Sequence, residues 1–380
     1  MKTVIINAKI VTATEIIENG VCAYQDGVIT YVGNQMQVGD EIIDAKNQYL
    51  IPGFVDIHCH GGIGYSFMSG NVEHFETVSK FHLSHGTTTL LATGSTASNE
   101  SIERMLITYQ DYCEKYPVNT VKGVHLEGPW LNPLQCGAMI TELMQKPNAK
   151  QLRELKNKYP FILRVDAAPE LDEGHEFGKM GRELGIIVSP AHTDADFSEI
   201  ERAKQDGYVV LTHLYSGMKG VTRVNAYRTA GAVEAGLYFD DLFVEVIADG
   251  KHLPLPLLKF IYKCKGADKI CLVTDAISAA GMPNGAMVGT RIIVEDDVAK
   301  LLDRQSFAGS AATADRLYRT MAQAIGKDMV ALSKMASLTP SKLMGWTDRG
   351  EIALGKRADL LLMSEDLTLE KVIFSGQIVK

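Results

Sequence analysis

The chain has 380 residues, of which 46% are hydrophobic and 22% charged, and it carries a net charge of −8 with a pI near 5.7. This is the composition of an ordinary soluble globular protein, and its acidic balance argues against nonspecific binding to nucleic acid or anionic membranes, both of which need a basic surface. The length exceeds the usual single compact core, so a large barrel or two domains is expected.

The first segment, Met1 to Asn7, has no long apolar stretch and no small-residue cleavage site, and no later segment reaches the length of a membrane span. The six cysteines, Cys22, Cys59, Cys113, Cys136, Cys264 and Cys271, form no Cys-x-x-Cys pair and read as reduced thiols. A cytoplasmic location follows as the expectation. Residues 3–51 read as short strands joined by turns, at 4–6, 10–12, 20–24, 28–32 and 41–44. The C-terminal stretch repeats the pattern at 350–352, 359–363, 371–375 and 377–380. Neither end has enough apolar residues for a core of its own. The spacing therefore predicts one small β-sandwich built from residues 1–51 and 346–380, with a second domain over 52–345 inserted between them.

Inside that insertion, apolar strands are predicted at 53–57, 88–92, 121–126, 162–167, 186–190, 209–212, 242–247 and 269–273, separated by helical segments such as 71–85 and 98–115. Eight such units fit an α/β fold of the (β/α)8 TIM-barrel type. A doubly wound sheet is the alternative, disfavoured because no Gly-x-Gly-x-x-Gly turn follows the first strand.

In such barrels the chemistry sits where strands end. The first strand ends in His58 and His60, which are two apart and so face the same side, beside the Gly61-Gly62-Ile63-Gly64 loop. Glu127 follows the third strand, His192 the fifth, His213 the sixth and Asp275 the eighth. Each alone reads better as a polar strand cap. Together they form an imidazole and carboxylate set of the kind that zinc, iron and related divalent ions take. Cys59 points to the opposite face and is expected to pack. His74, His82, His85 and His175 fall on helices or polar loops and are expected in surface or packing roles. His125, two before Glu127, is a candidate support for the ligands, and His252 is a candidate substrate contact.

The motifs are Pro-Gly-Phe-Val-Asp-Ile-His-Cys-His-Gly at 52–61, His-Leu-Glu-Gly-Pro-Trp-Leu-Asn-Pro at 125–133, Ala-His at 191–192, Thr-His-Leu-Tyr at 212–215, Ile-Ala-Asp-Gly-Lys-His at 247–252, Leu-Val-Thr-Asp-Ala at 272–276 and Phe-Ala-Gly-Ser at 307–310. Together they resemble the N-acetylglucosamine-6-phosphate deacetylase family of the amidohydrolase superfamily over nearly the whole length. The resemblance implies that Glu127, His192 and His213 hold a principal ion and that His58 and His60 hold a second. Because 162–167 offers no lysine, Glu127 would bridge the two ions. Asp275 is implied as a ligand and as the general base. One or two divalent ions are expected, zinc first, with iron, manganese or cobalt as alternatives. The implied reaction is attack of an activated water on an acetamide carbonyl, with Asp275 taking its proton and then protonating the departing amine.

For substrate, the resemblance implies contacts from Ala138, Met139, Ser216, Gly217, His252, Phe307, Ala308, Gly309 and Ser310. It adds an arginine after the sixth strand, for which Arg228 is preferred to Arg223, since a planar guanidinium suits phosphate. A homodimer is implied, with the neighbouring subunit completing the phosphate site. Two positions depart from the family. Met139 stands where the family has a histidine, and Ser216 where it has an asparagine. A thioether donates no hydrogen bond, and losing an oxyanion donor ordinarily costs roughly 10²-fold or more in rate. The leading expectation is deacetylation of an N-acetylhexosamine 6-phosphate, the glucosamine form before the galactosamine form. Hydrolysis of a cyclic amide or an N-acyl amino acid, and non-catalytic binding of a sugar phosphate, are the alternatives.

Overall fold

The computed structural model describes residues 1–380. Both ends of the chain enter one mixed sheet, in the order Gln377–Ile378, Leu369–Phe374, Leu360–Met363, Tyr49–Pro52, Lys2–Val11, Ile16–Gln25 and Val28–Gly33, with Glu41–Asp44 pairing off Lys2–Val11. The ends are joined by antiparallel pairing that sets Leu360 opposite Pro52 and Met363 opposite Tyr49. The strands predicted at 4–6 and 10–12 are one strand with a register shift between Ile5 and Ala8. Asn7 lies in that shift with a φ of 54°, a conformation asparagine reaches because its short side chain can bond locally. The strand changes partner there: Thr3–Ile6 run parallel to Glu41–Asp44, and Lys9–Ile10 run parallel to Tyr49–Leu50.

Alternation decides what each face of this sheet covers. Leu50, Leu360 and Leu362 join Ile5, Ile10, Cys22 and Ile373 in a core formed by the two termini together. Their neighbours Tyr49, Ile51, Leu361 and Met363 face the other way and pack with Tyr318, Met321 and Met335 of the central segment.

The central segment contributes eight parallel strands: Phe54–Cys59, Thr87–Gly94, Val121–Leu126, Ile162–Ala167, Ile187–Pro190, Val210–Leu211, Phe243–Val246 and Ile270–Leu272. They match the predicted strands to within about two residues at either end. The first five pair in chain order and so do the last three. Between the two runs, Val188 bridges Tyr208, and the Thr212 N–H donates to the Pro190 carbonyl at 3.1 Å. At the other seam, Cys59 bridges Ala276, and the Asp275 N–H donates to the His58 carbonyl at 2.9 Å. The parallel sheet is thus curled until its first strand meets the segment following its last.

A helix follows each strand, and local signals fix where helices begin and end. Phe197–Asp206 is an example: Asp196 and Glu199 form a reciprocal capping box at its start, and Gly207 ends it at a φ of 118°. Because helices cover the outside and side chains fill the inside, a strand such as Thr87–Gly94 is buried at every residue. No helix is long and apolar enough to cross a membrane. A hairpin, Thr222–Val224 with Tyr227–Thr229, follows the sixth parallel strand, and a three-stranded meander over residues 287–301 follows the eighth.

Candidate metal centre

Strand ends deliver the predicted residues to one point. Glu127 lies at the centre, and its two carboxylate oxygens face different histidine pairs. Oε1 is 2.8 Å from His213 Nε2 and 3.2 Å from His192 Nε2. Oε2 is 3.1 Å from His60 Nε2 and 3.7 Å from His58 Nε2. Two candidate ion-binding groups result, His58 with His60 and Glu127, and Glu127 with His192 and His213. Asp275 belongs to neither group, but its Oδ1 lies 3.3 Å from His60 Nε2 and 3.4 Å from His58 Nε2. His192, His213 and Asp275 leave their strands with φ values of 41°, 32° and 46°. Strain of this kind, held at three converging side chains, is characteristic of functional sites.

The donor set fits a cation. Three imidazoles use Nδ1 on an outer partner: His58 on Glu245 at 3.1 Å, His60 on Ser95 at 3.0 Å and His192 on the Gln135 carbonyl at 2.7 Å. Such partners fix the tautomer that leaves an Nε2 lone pair for a metal. The His58 and His60 Nε2 atoms face one another at 3.1 Å, a contact that needs either a shared proton or a cation beside the two nitrogens. His125, proposed as a support, is fully buried with its ring edge-on to His58 at 4.8 Å and its Nε2 3.0 Å from Asp166. Cys59 packs as expected, its Sγ 3.2 Å from Nε2 of the buried His82.

Burial disfavours charge on these rings, yet the carboxylates outweigh it. His60 is penalised by burial but raised to about 9 by Asp275 and Glu127. His58 is likewise raised, by Glu245 and Asp275. Glu127 and Asp275 are held low against their own burial by the surrounding histidines. An entering ion must therefore displace protons. Apparent Co²⁺ affinity of the metal-free protein will fall as pH drops below about 9, by about tenfold per pH unit for each proton displaced. Titrations at several pH values check this, and a pH-independent isotherm would contradict it.

The centre floors a cavity of about 440 Å³ that is also lined by Ala138, Met139, Ser216, Gly217, His252, Phe307, Ala308 and Gly309. His252 is held by Asp249 at 2.8 Å and its ring lies 4.7 Å from that of Phe307. Two expected contacts fall elsewhere. Ser310 is fully buried beneath the floor, where its hydroxyl donates to the Thr274 carbonyl and its N–H to the Asp275 carbonyl, so it braces Asp275 and does not line the cavity. Arg228 is exposed on the hairpin opposite Arg223, and neither arginine reaches the cavity. The only arginine on the wall is Arg291, from the meander after the eighth strand. Ser95 and Thr96 also line the cavity. Their signal was a polar run directly after the apolar second strand. The Thr96 hydroxyl points at the Met139 sulfur, 3.2 Å away.

Gly217, at a φ of 56°, lies against His192: a Cβ there would come within 2.7 Å of His192 Nδ1 and 3.1 Å of the Gln135 carbonyl. Gly217→Ala is expected to cost roughly 1–2 kcal/mol from the left-handed backbone alone, and to weaken metal binding at the candidate group that contains His192. Thermal unfolding and bound metal per chain will show both effects.

Residues 49–379 match the model of the amidohydrolase family. The chain belongs to that family. Amidohydrolases are metal-dependent, in keeping with the two ligand groups. This amidohydrolase is 30% identical to the N-acetylglucosamine-6-phosphate deacetylase of Bacillus subtilis (strain 168) over 97% of its own length and 95% of the relative's. It is 28% identical to the N-acetylgalactosamine-6-phosphate deacetylase of Escherichia coli O157:H7, with 93% of each chain covered. Among solved structures it resembles the N-acetyl-D-glucosamine-6-phosphate deacetylase of Mycobacterium smegmatis, an Asp-to-Ala mutant in complex with N-acetyl-D-glucosamine-6-phosphate. The TM-score is 0.91 and the identity 28%, covering 100% of this chain and 99% of the other.

Proposed function

We propose that this amidohydrolase removes the acetyl group of an N-acetylhexosamine 6-phosphate, with N-acetylglucosamine 6-phosphate as the preferred substrate. The observation that carries the reading is Glu127 poised between two histidine pairs with an ionised Asp275 beside them, at the floor of a sugar-sized cavity. Relatives of matching length bearing this activity support it. Glu127, His192 and His213 would hold one divalent ion and His58, His60 and Glu127 a second, with zinc favoured because imidazole and carboxylate are among its usual ligands. An ion bound there supplies Lewis acidity toward the acetamide oxygen and lowers the proton affinity of water toward neutrality.

The chain's own residues do the rest. Asp275 is buried and ionised, so it can accept a proton from the attacking water and return it to the leaving amine. Thr96 lines the cavity beside Met139, and its hydroxyl, turned from the Met139 sulfur, would supply the donor that Met139 lacks. His252 and Arg291 offer hydrogen bonds to the sugar phosphate from the cavity wall.

In this reading the curled sheet is a (β/α)8 barrel over residues 52–345, supported by the hydrogen bonds at both seams. The terminal sheet, residues 1–51 and 346–380, is a small β-sandwich, supported by its branching at Lys2–Val11 and by its own core. A cytoplasmic homodimer completes the proposal. The exposed hairpin carries Arg223 and Arg228 beside exposed Val221, Val224 and Tyr227, a surface that a second subunit would bury while bringing the arginines to a phosphate.

Acetate release from N-acetylglucosamine 6-phosphate, N-acetylgalactosamine 6-phosphate, their unphosphorylated forms, a cyclic amide and an N-acetyl amino acid, measured with metal content, tests the reading. Fastest release from N-acetylglucosamine 6-phosphate is the expected result, and a faster N-acetylgalactosamine 6-phosphate would move the preference to that sugar. Faster turnover of any unphosphorylated amide would overturn it.

A further inference from the structure

The barrel interior carries charges that the reaction does not use. Arg164, Asp166 and Glu245 sit mid-strand among apolar neighbours, and all three are fully buried. Buried ion pairs can commonly be replaced by apolar residues without loss of stability, so stability alone does not account for them. Their geometry points at the metal centre. One oxygen of Glu245, Oε2, accepts both from His58 Nδ1 and from the His213 N–H, each at 3.1 Å. The other oxygen is paired with Arg164, and the Glu245 carbonyl accepts from the Leu214 N–H at 2.9 Å. His213 is therefore held at its left-handed turn by Glu245 from two directions. Arg164 is fixed in turn by Thr212 Oγ1 at 2.7 Å and Ser189 Oγ at 3.1 Å.

We propose that Glu245, clamped by Arg164, is a positioning residue shared by the two ligand groups: it orients the His58 ring in one and sets the backbone of His213 in the other. The two ion positions are then supported by a single carboxylate beneath them, in addition to Glu127 between them. Ser95 provides the contrast, since its hydroxyl touches only His60. This inference rests on the metal-centre reading but not on the identity of the substrate.

Co²⁺ titration of the metal-free protein, followed by absorbance and without any sugar present, tests it. Glu245→Gln keeps the shape and removes the charge, and both binding steps should weaken, by roughly 10–100-fold each as is usual for outer partners of metal ligands. Ser95→Ala should weaken one step only. If Glu245→Gln leaves either step unchanged, Glu245 is not a shared support. Should that variant fail to fold with Arg164 unpaired, the charge-balanced Arg164→Gln/Glu245→Gln double variant is read the same way, and unaltered binding there is equally decisive against the proposal. Wild-type protein that binds no Co²⁺ would sink the proposal together with the metal centre. Binding as described without acetate release from any sugar phosphate would overturn the substrate reading alone.

Discussion

Asp275→Asn lowers kcat for acetate release by about 10²- to 10⁴-fold and leaves the bound metal unchanged. The side chain lies outside both ligand groups, while its backbone is fixed independently of its charge, through its N–H to the His58 carbonyl at 2.9 Å and its carbonyl to the Ser310 N–H at 2.7 Å. Asparagine keeps the shape and loses the ability to take a proton. Elemental analysis beside steady-state kinetics separates the outcomes. Loss of one equivalent of metal would make Asp275 a ligand as well, and surviving turnover would remove it from proton transfer.

Glu127→Ala empties both ion positions at once and takes activity with it. The carboxylate is the one group common to both triads, and without it four imidazoles converge with Asp275 as the remaining nearby anion. Loss of a mere outer partner already costs about 10–100-fold in affinity or activity, so removal of the shared ligand should exceed that. His60→Asn and His192→Asn supply the comparison, because each belongs to only one triad. If Glu127→Ala keeps one full equivalent, the carboxylate does not bridge.

Residue spacing revealed the candidate ligands because they obey local rules: His58 and His60 share a face by strand alternation, and the others follow apolar runs directly. The strands were legible for the same reason, since buried parallel strands are short apolar stretches between helices. What the sequence hid depends on chain segments far apart. Arg291 reaches the cavity from a meander inserted after the eighth strand, and no local pattern shows where such an insertion folds back. Arg228 looked suitable by position, yet it is exposed on its hairpin and does not line the cavity. Ser310 sits in a motif next to lining residues, but the chain turns at Gly309, at a φ of 52°, and Ser310 bonds back to the Asp275 carbonyl beneath the floor. Glu245 and Arg164 did leave a trace, charges flanked by apolar residues within buried strands, whose meaning becomes visible only when the first, fourth, sixth and seventh strands are brought together.

Tyr49–Pro52 and Leu360–Met363 are neighbours in the sheet but roughly 300 residues apart in the chain. At ribosomal rates of about 5–20 residues per second, the edge at Leu50 waits on the order of 15–60 s for its partner to be made. During that interval Leu50 has Ile5, Ile10 and Cys22 beside it but lacks Leu360 and Leu362, and the free edge of Tyr49–Pro52 lacks its antiparallel partner. The growing polypeptide thus carries an unzipped border until Leu360–Met363, made about 300 residues later, fastens it.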